Sequence, residues 1–152
     1  NLIGLNQDPD KDYTWFSFAD YGMDLYSNGF MVSQKLIKEN PKAVEGMVRA
    51  VNQATLDVGK DIPGAMASVM KFDALVDRNV ETRRLKFAYE KLMMSAEAKE
   101  IGAGDVKDDR LKRSIGMVVS GYGLTRTPET SEVYSRQFLP PRGQRELVYL
   151  GN

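Results

Sequence analysis

Five side chains able to do chemistry fall close together in the chain: Asp20, Tyr21, Asp24, Tyr26 and Asn28. Two phenols and two carboxylates on one irregular stretch can stack on a small ring and accept its N–H or O–H protons. The same stretch admits a plainer reading. Gly22 and Gly29 permit positive φ, and Asp20, Asp24 and Asn28 can bond local backbone, as turn residues do. The residue types alone leave both readings open.

Composition removes many alternatives. With no Cys and no His, thiol nucleophiles, imidazole bases, the usual triads and structural zinc are unavailable, and no cofactor or metal is expected. Catalysis would have to rest on carboxylates, lysines or tyrosines. Twenty-one basic residues balance twenty-one acidic ones, so the attraction that draws proteins to nucleic acid is lacking. No apolar run approaches the roughly 18 residues that span a bilayer. A chain that begins at Asn1 is expected to be a processed or truncated product, so the lack of a leader is silent about its compartment.

The elements that must position the five residues follow from periodicity. Apolar residues at 15–19 and 30–32 read as short strands with the acidic-aromatic centre crossing between them, and Leu2, Ile3 and Leu5 as a further edge. Helical signals then dominate. Ser33 is placed to cap a short helix over 34–39 with Leu36 and Ile37 inward. Asn40 and Pro41 open a long helix whose stripe is Val44, Met47, Val48, Val51, Thr55 and Val58, with Gly59 as its stop. A shorter helix follows Asp61. Another, capped by Asn79, has Leu85, Ala88, Tyr89 and Leu92 on one face.

Ser95 starts a brief turn that ends at Gly102 and Gly104, a spacing without the third glycine of a dinucleotide loop. Asp105 or Asp108 caps a helix bearing Leu111, Ser114, Ile115, Val118 and Tyr122. A last helical turn near Val133 and Phe138 precedes Pro140 and Pro141, and 142–152 form a polar tail that is either loose or docked as an edge. The expected class is α/β and predominantly helical, with two or three short strands followed by about five helices. Two strands alone are only marginally stable, so the chain is expected either to pair with a second copy or to be the back half of something larger.

Residues 19–51, ADYGMDLYSNGFMVSQKLIKENPKAVEGMVRAV, with LKRSIGMVVSGYGL and FLPP further on, resemble the C-terminal half of solute-binding proteins of bacterial ABC importers. The branch in question groups binders of the thiamine pyrimidine precursor with those for nitrate, taurine and sulfonates. The resemblance implies the C-terminal portion of a type II periplasmic binding protein fold. Residues 1–29 would end the second lobe and form the hinge crossover, 30–141 the helical part of the first lobe, and 142–152 a tail. It implies that Asp20, Tyr21, Asp24, Tyr26 and Asn28 line the cleft, the tyrosines stacking on the solute and the aspartates accepting its protons.

The implied function is non-enzymatic: capture of a small nutrient between two lobes and delivery to the membrane permease subunit, outside the cytoplasm. Two other readings stand beside it. Enzymes of the same fold that make the thiamine pyrimidine use His and Cys, which this chain lacks. A helical interaction piece would bury its stripes on a partner, a homodimer included.

Overall fold

The computed structural model describes residues 2–151. Among them seven α-helices run in order: α1 Gln34–Glu39, α2 Pro41–Lys60, α3 Ile62–Phe72, α4 Arg78–Phe87, α5 Ala96–Ile101, α6 Asp108–Tyr122 and α7 Thr130–Val133. A π-helical segment, Ala88–Met93, continues α4 directly.

Side-chain caps set most of the boundaries. Ser33 accepts from Leu36 N–H at 3.2 Å and Asn40 from Ala43 N–H at 3.2 Å, with Pro41 at the first helical position. Asp61 accepts from Gly64 N–H at 2.8 Å to start α3. The start of α4 departs from the expected Asn79 cap: Asp77 accepts from both Asn79 and Val80 N–H. Neither Asp105 nor Asp108 caps α6, whose N-cap is Lys107 without a side-chain cap.

The core gathers where α2, α3 and the α4–π segment pack. Ile62, Met66 and Tyr89 are fully enclosed, with Val44, Leu56, Leu111 and Ile115 nearly so. On α2 the buried residues are Val44, Asn52, Leu56 and Gly59, while Met47 and Val51 of the expected stripe face outward. Gly59 marks the closest packing. A Cβ there would lie 2.0 Å from the Val148 carbonyl oxygen and 2.4 Å from the Tyr89 hydroxyl.

Residues 142–151 build part of this core. Leu150 N–H donates to the Gly59 carbonyl at 2.9 Å, Ala103 N–H to the Arg145 carbonyl at 2.8 Å, and Tyr149 stacks on Tyr89 with centroids 5.6 Å apart.

The expected α/β class is corrected. No strand forms among the described residues. Ile3–Leu5 and Phe18–Tyr21 are 3₁₀ turns, the second closed by Gly22 at φ 87°. Residues 30–32 adopt no regular secondary structure, and their backbone pairs with no other segment among the described residues. A strand exists only as one side of a ladder, and no described segment supplies the other side. Apolar side chains that a sheet would have turned inward therefore lie open: Trp15, Phe16, Phe18, Phe30 and Met31 are each more than half exposed.

Candidate functional site

The acidic-aromatic stretch divides into an anchored end and a free span. Its anchor is Arg110, in the first turn of α6. The guanidinium donates to Asp24 Oδ1 at 2.6 Å, pairs with Glu97 of α5 at 3.4 Å, and lies 4.2 Å above the centre of the Tyr26 ring. A cation in the first turn of a helix works against the helix dipole, so its flanking carboxylates and ring face offset that placement.

Tyr26 is fixed at its other end as well. Its hydroxyl donates to Glu97 and accepts from the Lys107 N–H at 2.8 Å, which serves the helix start that has no cap of its own. Burial raises the Tyr26 phenol, the bond to Glu97 adds to that, and the Lys107 N–H and Arg110 oppose it.

Residues 10–24 are exposed without exception. Asp10 pairs with Arg83 of α4 at 2.8 Å near one end and Asp24 with Arg110 at the other. Between these feet the hydrogen bonds are local. Trp15 Nε1 donates to the Pro9 carbonyl at 2.9 Å, and the Phe18–Tyr21 turn closes on itself through Met23 N–H to the Phe18 carbonyl at 3.0 Å. The turn presents Asp20 and Tyr21 outward, with the Tyr21 ring tilted against Phe16 at 6.3 Å.

The structure thus brings Asp24 and Tyr26 together, occupied by Arg110 and Glu97. Asp20 and Tyr21 stand apart on the free span, and Asn28 is exposed beyond the anchor. Sequence reasoning missed Arg110, Glu97 and Lys107, which lie 71 to 86 positions away from their partners. The signal that could have found Arg110 is its place in a helical first turn, where a cation calls for acidic neighbours.

A second charged group lies where the C-terminal segment meets α6. Asp105 receives Arg136 at 2.7 Å and the buried Arg145 at 3.2 Å, and Arg145 also donates to the Ala103 and Pro140 carbonyls at 2.9 and 2.7 Å. Burial pushes the Asp105 carboxyl up, but Arg136, the Val106 N–H and Arg145 together hold it below its ordinary value. Every strong donor in this group has a protein acceptor, so it is a structural joint. Two surface grooves, of about 320 and 160 Å³, are lined by residues 108–130 and by residues of α2 and 137–144, and include none of the five candidates.

Residues 4–61 match the family model described as NMT1/THI5 like. The matched region holds the whole acidic-aromatic stretch with α1 and α2 and ends at the α2–α3 junction. The resemblance to the thiamine-precursor solute-binding family is therefore borne out over this region, and the match is consistent with a periplasmic binding protein fold. It supports small-molecule binding or a thiamine-precursor role without naming a substrate. No curated protein and no solved structure matches the chain.

Proposed function

We propose that the chain is part of a solute-binding protein that captures a small aromatic or heteroaromatic nutrient and presents it to an ABC permease outside the cytoplasm, by binding and without turnover. The observation that supports this most directly is the free span. Residues 10–24 hold Phe16, Asp20 and Tyr21 in the open, inside the region that matches the family, and are tied to the helices near their ends. Exposed aromatic rings beside an unpaired carboxylate suit a flat ligand that carries N–H donors.

In this reading the two tyrosines take different roles. Tyr26 has one ring face covered by Arg110 and its hydroxyl engaged twice, so it anchors. Stacking on solute falls to Tyr21, and proton acceptance to Asp20. Closure of a second lobe over the solute would add contacts in the closed state alone, which is what lets a ligand drive closure.

The test is calorimetric titration of the protein, purified as the cell makes it, with the thiamine pyrimidine precursor, taurine and nitrate. One of these should bind. Tyr21→Ala should weaken that binding about tenfold, equivalent to roughly 1.4 kcal/mol of stacking and burial. Unchanged affinity in Tyr21→Ala and Asp20→Asn would remove the span from the site.

A further inference from the structure

We infer that Arg110 is the positioning residue of the free span: by holding Asp24, Tyr26 and Glu97 at one point it fixes the C-terminal foot of residues 10–24 and so sets how Asp20 and Tyr21 are presented. This deepens the proposed solute-binding reading and rests on it for its functional meaning, but the mechanical part stands on geometry alone.

The two feet of the span differ. At the N-terminal foot, Arg83 and Asp10 form one ion pair with both side chains more than half exposed. Pairs of that kind contribute little, because water screens them and long side chains lose freedom in making them. At the C-terminal foot, Arg110 is only 20% exposed and Glu97 19%. Arg110 there donates to the Asp24 carboxylate, reaches the Asp24 and Leu25 carbonyls at 3.4 and 3.5 Å, and covers the Tyr26 ring. A fork of this kind fixes direction as well as distance, which a lysine ammonium cannot do.

Between the feet no hydrogen bond or ion pair joins residues 13–23 to the helices among the described residues. The orientation of the Phe18–Tyr21 turn is therefore inherited from where residues 24–26 are held. Loss of Arg110 leaves Asp24 without its partner and uncovers the Tyr26 ring, so the C-terminal foot is then held only through the Tyr26 hydroxyl on Glu97 and Lys107.

The experiment needs no ligand. Phe16, Phe18 and Tyr21 are chymotrypsin sites on the span, and Trp15 is the only tryptophan in the chain. Cleavage within the span follows release of its feet from the helices, since a loop held at both ends is less able to extend into a protease cleft. Arg110→Gln should speed cleavage there about tenfold, the loss expected for a charge-assisted contact. It should also lower the fluorescence anisotropy of Trp15 with the far-ultraviolet circular dichroism unchanged. Asp24→Asn, which leaves Arg110 paired with Glu97, should give a smaller increase and serves if Arg110→Gln does not fold. Arg110→Lys should fail to restore the wild-type rate, and Arg83→Gln should change it less than twofold.

Equal cleavage in wild type, Arg110→Gln and Asp24→Asn would overturn the assignment, as would full rescue by lysine. A titration with the thiamine pyrimidine precursor separates the two ideas. If Arg110→Gln releases the span and no solute binds the wild type, the positioning role stands and the solute-binding reading falls.

Discussion

Tyr26 uses its hydroxyl as donor to Glu97 and acceptor from the Lys107 N–H; the first bond favours the neutral phenol and the second opposes it. Its folded-state pKa is raised, chiefly by burial and then by Glu97, above the ordinary tyrosine value of 10.0. A raised acid is stabilising below its unfolded pKa, and that contribution is lost as pH rises through the folded value. Urea midpoints measured from pH 8 upward should fall more steeply for wild type than for Tyr26→Phe once pH exceeds 10.0. At neutral pH the same variant should be less stable by about 1–2 kcal/mol, since it orphans the Lys107 N–H and a carboxylate contact. Tyr21→Ala, at a ring 73% exposed, should leave the midpoint within about 0.5 kcal/mol of wild type. The chemical types of the five candidates were legible in the sequence, and their separate fates were not. What divides Tyr26 from Tyr21 is a partner more than seventy positions away, which local spacing does not encode.

At the scale of elements, short-range chemistry was read well and long-range packing was not. Ser33, Asn40 and Asp61 cap the helices that their positions foretold, because a cap acts over three residues. The 15–19 and 30–32 runs misled because apolar content signals burial on a sheet only when the sheet exists. Met47 and Val51 misled similarly: period alone does not say which side of a wide apolar stripe the neighbours take.

The C-terminal segment is where the difference matters most. Polar in sequence, it closes the core through Leu150 to Gly59 and through Arg145. Gly59→Ala should cost about 1–3 kcal/mol in chemical denaturation, because the added methyl meets the Val148 backbone and Tyr89. Arg145→Met should cost about 2–4 kcal/mol by leaving two carbonyls without their donor and Asp105 with Arg136 alone. Asp105 contributes to the acid limb. Its lowered pKa stabilises the fold above the unfolded value and is lost as pH falls below 3.8, so Asp105→Asn should flatten stability against pH in that range.

The whole molecule leaves more surface open than a compact chain of its size. Its 11253 Å² of accessible surface at 17.1 kDa compares with about 7,800 Å² expected for a compact monomer. Exposed apolar side chains contribute along the whole chain, and a group of them, Trp15, Phe16, Phe18, Tyr21, Phe30 and Met31, falls within the region that the family match includes. In a two-lobed solute binder the same surface would meet sheet, solute and second lobe, which gives one cause for the open rings and for the strand signals. The most direct test of that account is calorimetric titration of the protein, as the cell makes it, with the thiamine pyrimidine precursor, taurine and nitrate in turn. The account predicts saturable binding of one of them, weakened about tenfold by Tyr21→Ala at unchanged stability. Binding of none, or binding indifferent to Tyr21 and Asp20, would contradict it.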